Sequence, residues 1–390
     1  MPTKNRLELA ADSWDHREVR ALNEVIRSRR FTMGPKVLAF EQAFAKKIGR
    51  KYAVMSNSGS SANLIGIASY FFRKKRPLQA GDEVIVPCVS WATTYYPLHQ
   101  YGLKLRFVDV DLETLNYHLP SLERAITRKT RMIAAVSILG NPCEFDPILA
   151  LCKKHGLYLF EDNCESLGAR YRGKPTGTFG DVSTFSTFFS HHISTMEGGL
   201  TCTDDFETYC LLRSLRNHGW TRDQDPGSPI FKKRPRDFFE AYRFILPGYN
   251  VRPGELQGAV GLVQLKKLDH FVAVRRKNAA HFQALFAGHP TFIIQREIGE
   301  SSWFAFTFIV RPELPFSRER ALPHLKRAGI HYRVVTGGNF LRHDVAKYVD
   351  LVDTGSKNAD LVHDRGFFVG NHPFDIRREI DLLHKALSKV

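Results

Sequence analysis

No C-x-C or C-x-x-C pair occurs anywhere in this chain. Its six cysteines, Cys88, Cys143, Cys152, Cys164, Cys202 and Cys210, are scattered. Such spacing excludes a disulfide framework and a zinc or iron–sulfur motif, and reads as the reduced, mostly buried thiols of a cytoplasmic protein. No apolar run approaches the roughly 20 residues that span a bilayer. The start, Met1-Pro2-Thr3-Lys4-Asn5, shows no secretory signal. Internal repeats and low-complexity tracts are also missing. One absence is local: no lysine occurs from Pro175 to Phe231, in a chain otherwise rich in cations.

What is present is enough for a large core. The chain has 390 residues, 43% of them hydrophobic, which predicts two domains. Its net charge of +16 raises the question of nucleic acid. The basic clusters Arg73-Lys74-Lys75-Arg76, Lys232-Lys233-Arg234 and Arg275-Arg276-Lys277 lie far apart and alternate with apolar runs. That is the pattern of solvated faces on a globular fold, and no nucleic-acid reader motif accompanies it. A basic balance equally suits a pyrophosphate-bearing substrate and a phosphorylated cofactor.

Along the chain, helical periodicity runs from Ala10 to Gly49, broken at Phe31-Thr32-Met33-Gly34-Pro35. Strand-like runs follow at Tyr52–Met55, Glu83–Pro87, Leu105–Val110, Met132–Leu139, Leu157–Glu161, Val182–Phe188 and Leu200–Thr203. Helical stretches separate most of the earlier ones, which predicts an α/β domain with a largely parallel sheet. A long helix-compatible run from Glu255 to Phe286 then leads to the strand Ala305–Val310, a helix around Ser317–Ala328 and a last helix from about Ile376. The expected division is a large domain over 1–254, and a linking helix with a small α/β domain over 255–390.

Two places carry chemistry on their own terms. Ser58-Gly59-Ser60-Ser61 sits between a strand and a helix, where unpaired N–H groups and the positive dipole end favour a phosphate. A plain helix cap is the competing reading. Asp162 ends the apolar strand Leu157-Tyr158-Leu159-Phe160, where a carboxylate faces the ligand crevice of an α/β sheet.

The stretches Glu161-Asp162-Asn163-Cys164-Glu165 and Ser186-Thr187-Phe188-Phe189-Ser190-His191 through Glu197-Gly198-Gly199 together resemble two signatures of the sugar aminotransferase family. These are fold-type-I enzymes that use pyridoxal 5′-phosphate (PLP) and read roughly E-D-x-x-Q and S-F-x-x-x-K-N-L-T-x-G-E-G-G. The resemblance covers nearly the whole chain. It implies an α/β fold with a mixed, mostly parallel sheet and a smaller C-terminal domain. It also implies that Gly59, Ser60 and Ser186 hold the cofactor phosphate, that Trp91 stacks on the ring, and that Asp162 pairs with the pyridine nitrogen. Glu165 stands where many relatives have glutamine, which leaves contact near the phenolic oxygen or proton handling as its role. Asn250, in Asn250-Val251-Arg252-Pro253-Gly254-Glu255-Leu256, matches N-x-R-x-x-E-L. In the family that asparagine reaches the phosphate of the neighbouring subunit, implying a homodimer with shared sites.

Counting back from Glu197-Gly198-Gly199, the family's cofactor-linking lysine falls on His191. Histidine cannot tether PLP, but it can serve as a base near neutrality. The resemblance then implies a 3-dehydratase of a nucleotide-linked 4-keto-6-deoxyhexose, working through PLP and pyridoxamine phosphate (PMP) with L-glutamate as amino donor. The segments Thr32-Met33-Gly34, Ser90-Trp91 to Tyr95-Tyr96-Pro97, Ser190-His191-His192 and Leu246–Asn250 look most like the GDP-mannose branch. A CDP-linked substrate, a sugar aminotransferase that tolerates the exchange, and a non-catalytic PLP-fold regulator are the alternatives.

Overall fold

The computed structural model describes residues 7–235 and 237–390. The polar start at Met1–Asn5 lies outside the described residues. The N-terminal helical pattern resolves into His16–Ser28 and Pro35–Ile48. The first opens with Asp15 and Glu18 in a reciprocal capping box, and the second with Pro35 in its first turn.

An eight-stranded sheet follows. Its strands are β1 (Tyr52–Ser56), β2 (Glu83–Pro87), β3 (Lys104–Val108), β4 (Thr130–Val136) and β5 (Tyr158–Asp162). A hairpin of β6 (Arg170–Tyr171) and β7 (Lys174–Pro175) leads on to β8 (Val182–Ser186) and β9 (Gly199–Thr203). The C-terminal part adds β10 (Phe292–Ile294), β11 (Ala305–Val310), β12 (Tyr332–Arg333), β13 (Leu351–Asp353) and β14 (Gly366–Gly370). The large sheet runs β1-β9-β8-β5-β4-β2-β3-β13. It is parallel from β13 through β8 and antiparallel where β9 meets β8 and β1. The central strands β2 and β5 are buried along their whole length, as strands covered on both faces must be. The small sheet, β10-β11-β14-β12, is antiparallel and shares its core with Phe282, Phe286 and the last helix, Arg377–Leu387.

The long helix Glu255–Phe286 packs on both N-terminal helices and on the last helix. Two segments cross residue 254/255. Leu7 pairs with Ile330 and sits in the small-sheet core, and β13 forms an edge of the large sheet beside β3. Two expected elements are interrupted. The run Met132–Leu139 leaves the sheet after Val136, because residues 138–140 form a tight turn with Leu139 at φ 52°. The expected helix at Ser317–Ala328 splits into a short turn and Leu322–Ala328, since Pro323 fits only a first helical turn.

Glu255 joins the long helix to the helix Pro35–Ile48. One carboxylate oxygen accepts from the N–H groups of Gly34 (2.8 Å) and Val37 (3.0 Å), the other from that of Lys36 (2.9 Å). Glu255 is 2% exposed, so its loss strands three donors at a helix N-terminus. Glu255→Ala is expected to destabilise the fold by about 3 kcal/mol, read as a lowered midpoint in thermal or urea unfolding.

Candidate functional site

The helix Gly59–Phe71 begins directly over the ends of β8 and β9, and the Ser58 hydroxyl caps it by accepting from Ser61 N–H at 3.0 Å. The approach is close enough to demand glycine. A Cβ on Gly59 would lie 2.6 Å from Ser186 Cβ, and one on Gly199 would lie 2.3 Å from the Ser58 carbonyl oxygen. Among the described residues, no hydrogen bond uses the N–H of Gly59 or Ser60. The Ser186 hydroxyl accepts from Phe188 N–H at 3.2 Å and keeps its own proton to donate. Two backbone donors and a hydroxyl thus face one cavity of about 620 Å³, a donor set that fits a phosphate.

Asp162 lies on the same cavity at the end of β5 and is 4% exposed. Its Oδ2 accepts from Asn63 Nδ2 (2.9 Å) and Thr94 Oγ1 (2.7 Å), and its Oδ1 from Cys164 N–H (3.1 Å). Asn63 stands one turn along the helix from Gly59 and so shares its face. Oδ1 retains a lone pair for a further donor, as a protonated ring nitrogen requires. Trp91 lines the cavity and is 61% exposed, which makes it a ring at the wall and not a core residue.

Glu165 also lines the cavity. Its Oε2 accepts from the N–H of Leu139 at 2.8 Å, the residue held left-handed at the end of β4. Burial pushes its carboxyl up to about 7, against the help of that N–H and with a push from the Asp162 charge. His191 sits between Phe188 and Phe304, its ring centroid 5.2 Å from that of Phe304. Burial, and then the charge of Arg275, pushes its imidazole down to about 4. The ring is half-buried and lines the cavity. The direction of the shift leaves His191 unprotonated at neutral pH, with a ring nitrogen free to accept a proton. His192 is 1% exposed, with Nε2 at 3.1 Å from the Ser302 carbonyl, and does not line the cavity.

The structure therefore brings Gly59, Ser60, Trp91, Asp162, Glu165, Ser186 and His191 to one cavity. Asn250 stands outside it, exposed, its Oδ1 accepting from Arg252 Nε at 3.0 Å. Sequence reasoning missed the opposite wall, made by Arg333, Val334, Thr336 and Gly337 with Phe304 and Phe368. The adjacent glycines 337 and 338 mark a loop there, but nothing local ties it to the cavity.

The family model for the DegT/DnrJ/EryC1/StrS aminotransferases matches residues 12–373. The chain belongs to that family. A GDP-4-keto-6-deoxy-D-mannose 3-dehydratase from Yersinia pseudotuberculosis is 49% identical over 384 residues, covering 98% of each chain. A crystal structure of GDP-4-keto-6-deoxymannose-3-dehydratase with a trapped PLP–glutamate geminal diamine superimposes with a TM-score of 0.96 at 48% identity, covering 98% of this chain and 100% of that one. A histidine-to-asparagine variant of that enzyme with bound GDP-perosamine matches with the same score, identity and coverage. The fold is that of the PLP-dependent aminotransferases. Among the described residues, no helix is long and apolar enough to cross a membrane, and no three side chains form a metal-binding group.

The two titrating groups on this DegT/DnrJ/EryC1/StrS cavity shift in opposite senses, which gives a test. Glu165 rises from 4.5 to about 7 in the folded chain. Between those values the folded state holds a proton the unfolded chain has released, so Glu165 lowers stability as pH rises through that window. Glu165→Gln keeps an acceptor for Leu139 and removes the titration. Its melting temperature, relative to that of the parent, should climb from pH 5 to pH 8; a constant difference would place the carboxyl at its ordinary value.

Proposed function

We propose that the chain is a PLP/PMP-dependent 3-dehydratase of a nucleotide-linked 4-keto-6-deoxyhexose, with GDP as the nucleotide. In sum, L-glutamate and the sugar give 2-oxoglutarate, ammonia and a 3,6-dideoxy-4-keto sugar. Glutamate supplies the two electrons, and the C3 hydroxyl leaves as water that balances the water used in releasing ammonia. The reading rests above all on one observation. Where the family carries its lysine, a histidine pushed toward the neutral form faces the cavity, and no lysine lines that cavity among the described residues.

The bound cofactor supplies the electron-accepting ring and carries the amino group from L-glutamate to the C4 ketone. Gly59, Ser60 and Ser186 would hold its phosphate, Trp91 its face and Asp162 its ring nitrogen, where three donated hydrogen bonds keep the carboxylate oriented. His191 takes the proton at the cofactor's C4′ carbon and delivers one to the departing C3 hydroxyl. Phe188 and Phe304 pack edge-on against the imidazole and help to fix its orientation. Glu165, with its carboxyl near 7, can donate or accept beside the ring's phenolic oxygen. Without a lysine amine, the route back to a stable amino sugar lacks its nucleophile.

In this reading Asn250, exposed outside this chain's own cavity, serves the neighbouring copy of a cytoplasmic homodimer. GDP is favoured over CDP by the Yersinia pseudotuberculosis relative and by the GDP-perosamine bound to the solved variant.

Two substitutions test the assignment. His191→Asn should keep PLP affinity while sugar dehydration falls by roughly 10²–10⁴-fold, the contribution of a general base. Borohydride should leave no pyridoxyl adduct on the parent, whereas His191→Lys should trap one at position 191, identified by peptide mass spectrometry. A lysine-linked adduct on the parent would overturn the reading.

A further inference from the structure

The wall that the small domain contributes to the cavity carries two groups with no assigned partner. Arg333, at the end of β12, lines the cavity and is exposed; its one hydrogen bond among the described residues runs from Nη1 to the Tyr332 carbonyl at 2.9 Å. No acidic side chain pairs with it among the described residues. It is also the one cation among the described lining residues, once His191 is neutral. Three residues on, Thr336 lines the same cavity at 6% exposure. Its Oγ1 is buried without a hydrogen-bond partner.

A buried hydroxyl left unpaired is costly, and the backbone around it is held in an unfavourable state. Thr336 has φ 42° and ψ 37°, a left-handed conformation that a β-branched residue adopts only when its surroundings enforce it. Gly337 and Gly338 follow at φ 86° and 77°, so the chain turns sharply and keeps the threonine on the cavity. Arginine takes carboxylate or phosphate in two-pronged fashion, and the unpaired Thr336 hydroxyl three residues on is a second donor on the same loop.

The rest of the cavity says when such a subsite is filled. Its other ionisable lining groups include three acids, Asp162, Glu165 and Glu197. The cofactor phosphate fits the Ser58–Ser61 turn, on the opposite wall. The anions left over belong to the two substrates of the proposed reaction, and this step rests on that reading. L-glutamate places its side-chain carboxylate a few bonds from the reacting carbon. The sugar places its first phosphate on C1, across a folded ring from C4, within similar reach. The two substrates also occupy the cavity in succession, never together. We propose that Arg333 and Thr336 form a single oxyanion subsite used twice in each cycle. It takes a carboxylate of the amino donor in the first half-reaction and a phosphate oxygen of the nucleotide sugar in the second.

The half-reactions can be measured apart on the PLP-loaded full-length protein. Glutamate converts the PLP absorbance to that of PMP, and the PMP form then turns over the GDP-linked 4-keto-6-deoxyhexose. Arg333→Gln is expected to raise the glutamate concentration at half-maximal rate and the sugar KM, each about 10- to 100-fold, the effect of losing a hydrogen bond to a charged group. Limiting rates should change far less, because the contact binds ground and transition states alike. Thr336→Val should raise both in the same direction and Thr336→Ser should restore them. Calorimetric affinity for glutarate and for GDP-mannose, neither of which reacts, should fall in parallel. A variant impaired with one substrate only would overturn the shared use, and unchanged constants with both would overturn the subsite. An equal loss of PLP affinity would overturn it too, by assigning the loop to the cofactor or to the fold. If the parent itself processes neither substrate yet binds glutarate and GDP-mannose through Arg333, the proposed reaction fails while the subsite stands.

Discussion

The site depends on a contact too close for side chains. In the large sheet, Ser56, Gly199 and Ser186 lie side by side across β1, β9 and β8. The first turn of the helix Gly59–Phe71 rests directly on that row. A Cβ at Gly59 or Gly199 would come within 2.6 Å of Ser186 Cβ or 2.3 Å of the Ser58 carbonyl oxygen, so helix or sheet would have to shift. With hydrogen there instead, the helix N-terminus and the Ser186 hydroxyl converge on one point. The same helix then carries Asn63 to Asp162, one turn further in. The helix N-terminus and the Asp162 carboxylate are thereby spaced by a single rigid element, the arrangement a pocket needs to fix a ligand's orientation without a covalent tether.

Charge in the cavity is arranged by what surrounds each group. Asp162 has three donors and lies at the end of a buried strand. Glu165 has one donor and no cation, so burial dominates and the proton stays. His191 meets aromatic rings and lies within the field of Arg275, whose own Nη1 donates to the Phe304 carbonyl at 3.1 Å. Arg275 thus supports the ring that packs on His191 while disfavouring its protonated form. Burial does most to keep the imidazole unprotonated, and this one buried arginine adds to it.

The strands β1, β2, β5, β8, β9 and β11 and the long helix were legible in the sequence to within a residue or two, because their apolar periods are strong and their boundaries carry turn residues. The first wall of the cavity was legible for a different reason. Gly59, Asp162 and Ser186 lie at strand ends or a helix start and His191 in the loop between β8 and β9, and short motifs bracket them. The second wall was not. β12 has two residues and β13 three, too few for any period to register. Arg333 and Thr336 reach the cavity only because the small sheet packs where it does. Asn63 and Thr94 were within reach of helical spacing and of the Ser90–Tyr96 segment, but a neutral side chain that orients a carboxylate has no spacing signature of its own. The split of the helix expected at Ser317–Ala328 traces to one proline.

β13 also bears on how the enzyme breathes. It is chain from the C-terminal third, yet it pairs with β3 at Leu351, Val352 and Asp353. Close by, Asp109 accepts from the N–H groups of Asn358 and Ala359 at 2.9 and 2.8 Å, and Asn339 bridges to Val89. These ties all follow the loop that bears Arg333 and Thr336 in the chain. Moving this part of the chain away from the large sheet would have to unzip a strand and strip a buried carboxylate of its donors. The molecule is built less like a jaw than like a socket with a stitched rim. Ligands of very different bulk must come and go through a mouth whose width is fixed when the chain folds.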